Sequence, residues 1–365
     1  MRGVPVAVLG ILSVSGLIMF FASDAAGLTA DAVSGAIARG EALQGGATAR
    51  FDAEVEQAHP YRDAAVPVIA ALRYGILRHG SPGVIVGREG WLFTDEELQH
   101  HPGDETRLRE RLQYVKDVAA HLDHEFETPL VVVVVPSKAR VAADFVPPYL
   151  EPAVAHDRTR WAVEALAEVD ITVVDAAAAL TPQDFFLRDT HWRPRGARRV
   201  ARAVDQAMPG FHGFNERYEL RRLAEQELEG DLLSFVPVGR WRGLLGLTKE
   251  RFRPVEAVRV GTASAGGGLF DTPTIPITLV GTSYSADPRF GFEDALRATL
   301  QGDVLNVAEP AGGPFQPMET YLRGETITDV PPELVIWEIP ERYLTLPSVD
   351  TPETPRSRTL DGRRR

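Results

Sequence analysis

An acid and a histidine lie two residues apart in the stretch FFLRDTHWRPRGA, residues 185–197. In extended backbone, residues i and i+2 point to the same side, so the side chains of Asp189 and His191 leave the chain together. The carboxylate can then hold the Nδ1–H of the imidazole while Nε2 faces a nucleophile, as in a serine-hydrolase triad. The alternative interpretation is a surface turn with a solvated histidine.

The serine that best completes this arrangement follows an apolar run. Residues 277–285 read ITLVGTSYS, in which a predicted strand ends at Gly281 and Ser283 lies on the turn before a helix. The amides of such a turn can face a developing oxyanion. The stretch lacks the second glycine of the G-x-S-x-G motif, and Ser285 is the nearest rival. A helix-capping role is the alternative for Ser283.

Strands and helices alternate along most of the chain. The run PLVVVVVPSK at 129–138 predicts a strand buried on both faces, and residues 104–123 carry apolar side chains at helical spacing. Further strands are predicted at 171–175, 275–281, 303–307 and 333–339, further helices at 161–169, 194–208 and 292–300, and a hairpin-like entry at 84–93. This pattern predicts an α/β fold, a three-layer parallel sheet with helices on both faces.

The composition excludes several functional classes. The chain has 365 residues, a formal net charge of −12 and no cysteine. Disulfides, thiolate nucleophiles and zinc–thiolate sites are therefore excluded, and the negative charge argues against a nucleic-acid partner. The histidines at 100, 101, 121 and 124 have no recognisable third zinc ligand, so we expect neither a metal nor a cofactor.

The N-terminus predicts export. Residues 4–22 carry no charge, Arg2 precedes them and Asp24 follows, which is typical of a helix that anchors a periplasmic protein in the inner membrane. A cleaved signal peptide is the alternative. The predicted domains are an anchor or signal peptide at 1–23, a tether with packing helices at 24–80, a main domain at 81–345 with an insertion over the active face at 210–272, and a disordered tail at 346–365.

Taken together, these stretches resemble a known family. DTHW followed by P-x-G, and then GTSYS, resembles the alginate O-acetyltransferase family of the AlgJ and AlgX type, which is SGNH-hydrolase-like and of the DHHW type. Supporting stretches are VGREGWLF, VVVVVPSKARV, GDLL at 230–233 and LVIWEIPERYL. The resemblance implies an exported SGNH-like enzyme that O-acetylates an exopolysaccharide, with Asp189, His191 and Ser283 as its triad. It also implies a membrane-bound O-acyltransferase as the partner that supplies acetyl groups.

Neighbours of the triad are the candidates for contacts with substrate. We expect the sugar acceptor to contact Trp192, Tyr284, Arg193 and Arg289. For Trp192 the alternative is packing that fixes the histidine loop, and for the arginines it is a solvated surface. The oxyanion is expected at the amides of Ser283, Gly312 and Gly313. An acetyl esterase of the same fold and a non-catalytic scaffold of a polysaccharide export complex remain open as functions.

Overall fold

The fold is built on a parallel β-sheet, seen in a computed structural model that describes residues 62–150, 153–169, 171–209, 211, 213–214, 216–260 and 275–350. The strands are β1 Val84–Val86, β2 Leu92–Thr94, β3 Leu130–Val135, β4 Thr172–Asp175, β5 Tyr218–Arg222, β6 Gln226–Leu228, β7 Glu250–Phe252, β8 Val255–Arg259, β9 Ile277–Val280, β10 Val304–Asn306 and β11 Leu334–Pro340. The helices are α1 Arg62–Leu72, α2 Asp104–Phe126, α3 Lys138–Val141, α4 Ala153–Ala167, α5 Pro194–Gln206, α6 Ser283–Ala286, α7 Phe292–Leu300, α8 Phe315–Arg323 and α9 Thr326–Asp329.

In the described residues, the central sheet has the strand order β10-β9-β11-β3-β4, and all its pairs are parallel. Trp337 of β11 lies opposite Val132 of β3 and Val280 of β9. Strands β3 and β11 are buried at every position, as the unbroken apolar run of β3 predicts for that strand. Because the strands are parallel, the residues that follow β3 and β9 meet at one edge of the sheet, where ligands bind in open α/β folds.

Helices cover both faces of this sheet. Val131, Val133 and Val135 pack in one hydrophobic cluster with residues of α5 and α7, whereas Val132 and Val134 pack in a second cluster with residues of α2, α4 and α8. Successive strand residues point to opposite faces, so the alternation along β3 divides the core between two layers of helices. The predicted three-layer α/β architecture is confirmed.

Several elements were predicted well, and others were not. Strands β1 and β2 pair antiparallel as the expected hairpin, and α7 matches its predicted bounds. Helix α4 begins at Ala153, before the apolar pattern that predicted it, and α8 was missed. The sequence FQPMETYLR of α8 follows two glycines and contains Pro317, but proline is tolerated in the first turn of a helix.

The region predicted as an insertion at 210–272 forms small antiparallel pairs where it is described. Strand β5 pairs with β8, and β6 pairs with β7. Between β6 and β7, the segment that begins at Gly230 reaches the loop that carries Asp189. The glycine-rich residues 261–268 lie outside the described part of the chain.

The chain divides by its contacts into two compact units. In the described residues, one unit holds α1 with Pro237–Trp241, where Pro67 of α1 lies beside Gly239. The other holds Arg73–Val236 and the described chain from Arg242 onward. The predicted N-terminal anchor at 1–23 lies outside the described residues. Among the helices that are described, none has the length and apolar character needed to span a membrane.

The prediction of a disordered tail from residue 346 onward places the start of that tail too early. Leu346 is buried, and Val349 packs against the second core cluster. The buried guanidinium of Arg111 on α2 donates hydrogen bonds to the carbonyl oxygens of Tyr343 (2.7 Å), Leu346 (2.8 Å) and Val349. Residues 346–350 therefore belong to the folded domain, because one arginine satisfies three of the carbonyl groups around them.

Replacing Arg111 should loosen this segment selectively. We expect Arg111→Leu to lower the free energy of unfolding by about 2–4 kcal/mol, because buried carbonyl groups lose their donor. Hydrogen exchange followed by mass spectrometry should show faster exchange in residues 343–350. The control is Arg323→Leu, which removes only an exposed pair with Glu319 and should cost less than about 0.5 kcal/mol. Equal effects of the two substitutions would refute this role for Arg111.

Candidate active site

Ser283 lies at the carboxyl end of strand β9, on the turn into the short helix α6. Strand β9 is fully buried, and Gly281 and Thr282 separate it from the helix. The side chain of Thr282 accepts from the amide of Tyr284, so Thr282 and not Ser283 caps the helix. Thr282, Tyr284 and Ser285 are buried, while Ser283 is partly exposed. Within this turn, Ser283 therefore offers its hydroxyl to the surface.

The side chains of Asp189, His191 and Ser283 form one chain of hydrogen bonds. Asp189 Oδ1 lies 2.7 Å from His191 Nδ1, and His191 Nε2 lies 2.7 Å from Ser283 Oγ. The exposed fraction is 3% for Asp189 and 9% for His191. With Nδ1–H donated to the carboxylate, Nε2 is left to accept the proton of the serine hydroxyl. The structure thus brings the three predicted catalytic residues together.

The local backbone differs from the prediction. Residues 187–191 form a bend and not an extended strand. Asp189 Oδ1 accepts from the backbone amide of His191 (2.9 Å) as well as from its ring, so the acid and the imidazole meet across an Asx-type turn. The acid–spacer–histidine spacing is correct, but a side-chain-to-backbone hydrogen bond produces the pairing, and strand geometry does not.

Asp231 completes the environment of Asp189 and was missed from the sequence. Its amide donates to Asp189 Oδ2 at 3.0 Å, and its carboxylate accepts from the amide of Thr190 at 2.8 Å. Gly230 precedes it, and a Cβ there would lie 2.1 Å from the carbonyl oxygen of Arg188, so the close approach needs glycine. The signal was present in the GDLL stretch, but nothing in the sequence indicated what it contacts.

Lys138 fixes the backbone of the same loop and was also missed. Its side chain is fully buried, and Nζ donates to the carbonyl oxygens of Leu92 (2.7 Å), Leu187 (2.9 Å) and Asp189 (2.9 Å). Burial lowers the pKa of Lys138, while the carboxylates of Glu97 and Asp189 oppose this shift. A lysine three residues after the end of the buried strand β3 was the available signal.

Aromatic side chains enclose the imidazole. The ring of Phe290 stacks on His191 at 4.4 Å between centroids, and the ring of Tyr284 lies at 4.7 Å. The hydroxyl of Tyr284 donates to the carbonyl oxygen of Thr190 at 2.7 Å. These contacts hold the histidine ring in place and shield it from water. The role of Phe290 was not foreseen from the sequence.

The predicted substrate contacts of Trp192 and Tyr284 are wrong. Their exposed fractions are 0% and 1%, because both rings pack in the core with each other and with Phe292 or His191. The alternative for Trp192, packing that fixes the histidine loop, matches the structure. Both aromatic residues therefore pack beneath the triad and hold it in place, and neither is exposed to bind a sugar.

The two predicted arginines differ in their surroundings. Arg193 pairs with Glu250, donates to the carbonyl oxygen of Phe185 and lies over the ring of Phe186, so its guanidinium is already engaged within the protein. The side chain of Arg289 is 49% exposed and pairs with Asp287. It also lies over Phe290, the ring that stacks on His191. Of the two, Arg289 is the one that retains an exposed guanidinium near the triad.

Gly312 and Gly313 lie just before helix α8. A Cβ on Gly312 would meet the side chain of Gln316, and one on Gly313 would meet Val349 and Tyr343. Val349 packs in the second core cluster, whereas Tyr284 packs in the first, on the other face of the sheet. The assignment of these two glycine amides to the oxyanion stays a prediction. The backbone amide of Ser283 is the first amide of helix α6 and lies beside the Ser283 hydroxyl.

Asp189, His191 and Asp231 also place potential metal-ligand atoms within 4.8 Å of one another. However, Asp189 Oδ1 already accepts from His191 Nδ1, and the carboxylate of Asp231 already accepts from Thr190. A metal ion would have to replace these hydrogen bonds. The arrangement favours a hydrogen-bonded acid–histidine pair, and the expectation of no metal and no cofactor stays a prediction.

The family follows from comparison with known proteins. A family model described as "SGNH hydrolase-like domain, acetyltransferase AlgX" matches residues 84–341. This range is most of the protein and includes Asp189, His191 and Ser283. The chain belongs to this family. The SGNH-like fold predicted from the sequence is thereby confirmed.

Named relatives are similar to this chain over most of its length. The "Probable alginate O-acetylase AlgJ" of Pseudomonas putida is 34% identical over 314 residues, covering 82% of this chain and 79% of that protein. The Pseudomonas aeruginosa protein of the same description is 34% identical over 324 residues, covering 84% and 82%. The "Alginate biosynthesis protein AlgX" of P. putida is 31% identical over 274 residues, which cover 69% of this chain and 55% of that protein.

Solved structures agree with this assignment. The O-acetyltransferase domain of P. putida AlgJ superposes with a TM-score of 0.65 and 31% identity, covering 74% of this chain and 94% of that one. AlgX of P. aeruginosa superposes with a TM-score of 0.56 at 22% identity, covering 70% and 62%, which supports the fold alone.

The pairing of Asp189 should appear in the pH dependence of stability. Burial raises the pKa of its carboxyl, but the hydrogen bonds from His191 and Asp231 outweigh this and leave the pKa below its ordinary value. An acid with a lowered folded-state pKa contributes stability above the unfolded pKa and loses it as the pH falls. The stability difference between wild type and Asp189→Asn should therefore shrink below about pH 4.

Asp294 gives a control of opposite sign. Burial raises its pKa in the folded protein, so its contribution is present at low pH and is lost as the pH rises. The difference between wild type and Asp294→Asn should shrink above about pH 4. Denaturant unfolding between about pH 3 and pH 7 measures both series. The same trend in both series would contradict the assigned environment of Asp189.

Proposed function

We propose that this chain is an O-acetyltransferase that acetylates hydroxyl groups of an exported polysaccharide through an acetyl-Ser283 intermediate. The observation that carries the proposal is the chain of hydrogen bonds from Asp189 through His191 to Ser283, at 2.7 Å each, in a member of an acetyltransferase family. The likeness to the O-acetyltransferase domain of AlgJ supports the same reaction class.

In the first half-reaction, His191 acts as a general base. Its Nε2 takes the proton of Ser283 while Oγ attacks the carbonyl carbon of an acetyl donor. The tetrahedral intermediate then collapses, the bond to the donor breaks, and the leaving group takes the proton from His191. Asp189 keeps Nδ1 protonated and stabilises the imidazolium while it exists. The product of this step is acetyl-Ser283.

In the second half-reaction, a sugar hydroxyl takes the place of the leaving group. His191 accepts its proton, the sugar oxygen attacks the acetyl carbonyl, and the bond to Ser283 breaks as His191 returns the proton to Oγ. The amide of Ser283 is the donor that we assign to the oxyanion in both steps. Transfer to a sugar, and not to water, separates this enzyme from an esterase with the same triad.

The setting of the reaction is part of the proposal. Residues 1–23 would anchor the chain in the inner membrane, or direct its export as a signal peptide, and place the site in the periplasm. A membrane-bound O-acyltransferase would supply the acetyl groups. The relatives described as probable alginate O-acetylases support alginate, or a similar polysaccharide, as the first acceptor to test.

Intact mass spectrometry tests the nucleophile. Full-length chain in detergent is incubated with an activated aryl acetate, beside Ser283→Ala and the control Ser81→Ala, which removes another partly exposed serine. We expect one acetyl group on wild type and on the control, mapped to Ser283, and none on Ser283→Ala. No adduct on wild type, or one that survives in Ser283→Ala, would refute the mechanism and favour a scaffold role.

Transfer to oligosaccharides then tests the reaction class. Asp189→Asn should lower the transfer rate by about 10³–10⁴-fold, because the histidine loses the partner that fixes its tautomer. Acetylated sugar should be detected in proportion to the deacylation of Ser283. Deacylation by water alone, unaffected by added oligosaccharide, would identify an esterase instead.

A further inference from the structure

We propose that Glu338 is the positioning residue that holds the Ser283 turn in its reactive geometry, an inference that rests on the proposed acetyl transfer. Glu338 lies on β11, the central strand of the sheet, and its side chain is fully buried. Its carboxyl oxygens contact the residues on both sides of Ser283. Glu338 does not itself touch the reacting atoms and acts through its neighbours.

Three donors of the Ser283 turn converge on this carboxyl group. The amide of Thr282 donates to Glu338 Oε2 at 2.7 Å, and the Thr282 hydroxyl lies 3.0 Å from the same oxygen and 3.1 Å from Oε1. The hydroxyl of Ser285 donates to Oε2 at 3.1 Å. Because the donors lie before and after Ser283, the acid fixes both ends of the turn that carries the nucleophile.

Gly281 makes this approach sterically possible. A Cβ at this position would lie 2.5 Å from Glu338 Oε2 and 3.0 Å from Ser285 Oγ, which is too close for any other residue without displacement of the acid. The GTSYS stretch is thereby explained residue by residue. Gly281 leaves room for Glu338, Thr282 and Ser285 bind it, Tyr284 bonds the loop of His191, and Ser283 is left for chemistry.

Holding an acid at this position costs folding free energy. Burial raises the pKa of Glu338, although the hydrogen bonds from Thr282 and Ser285 oppose the shift. The positive charge of Arg342 also opposes the rise in pKa, but none of the described ion pairs within 4.0 Å includes Glu338, and burying an acid without a directly paired cation is costly. The benefit is a fixed distance between Ser283 and His191, since a displacement of about 1 Å can cost about 100-fold in rate.

Two substitutions separate positioning from mere burial. Glu338→Leu removes both acceptors, whereas Glu338→Gln keeps one oxygen that can accept from the Thr282 amide and from Ser285. The measurement is the rate of Ser283 acetylation in full-length chain, followed by intact mass over a range of aryl acetate concentrations. We expect Glu338→Leu to lower the limiting rate about 100-fold with a nearly unchanged half-saturating concentration, and Glu338→Gln to stay within about tenfold of wild type.

A matched threonine pair covers the case in which Glu338→Leu does not fold. Thr278 lies in strand β9, Thr282 follows that strand, and both side chains are buried. The hydroxyl of Thr278 accepts from Tyr321 and does not contact Glu338. Thr282→Val should acetylate at least about tenfold more slowly than Thr278→Val.

The outcomes separate the inference from the proposed function. If wild type forms no acetyl-Ser283, the proposed function fails and the inference fails with it. If wild type is acetylated but Glu338→Leu reacts at the wild-type rate, the inference alone is overturned. The inference alone is also overturned if wild type is acetylated and Glu338→Leu and Glu338→Gln react at equal rates. Equal rates of the two valine variants would overturn it in the same way.

Discussion

The hydrogen bond between His191 Nε2 and Ser283 Oγ is the contact on which this structure depends, because it joins residues 92 positions apart. Neither residue can be placed by its own neighbourhood in the chain. The parallel sheet brings them to the same edge, since β9 delivers Ser283 there. Hydrogen bonds from Lys138, which follows β3, and from Asp231 hold the loop of His191 at this edge. Each half of the site is thus held from several distant points.

Much of this arrangement could be predicted where the signal is local. The unbroken run of valines marked β3 as a central strand, and the apolar stripe marked α2. The spacing of Asp189 and His191, and the serine on a strand-to-helix turn, identified the three residues that meet. These features depend on backbone periodicity and on neighbours in the chain, which a sequence displays directly.

The supports of the site could not be predicted, because their partners are distant in the chain. Lys138, Asp231 and Glu338 are polar residues in or beside apolar stretches, and only the fold reveals what they bind. Aromatic residues were misassigned for a related reason. Trp192 and Tyr284 lie next to triad members, but their burial depends on helices and loops contributed by other parts of the chain.

The two halves of the site are anchored in unlike ways. Glu338 ties the serine turn to β11, which lies between β9 and β3 and pairs with both. The histidine loop has an isolated bridge between Phe185 and Trp192, and individual backbone and side-chain hydrogen bonds from Leu92, Lys138 and Asp231 hold its tip. On warming, the histidine side should therefore loosen while the serine side remains in place. Inactivation would then occur at a lower temperature than melting of the sheet. Briefly heated protein would keep its fold but would have an unreactive Ser283.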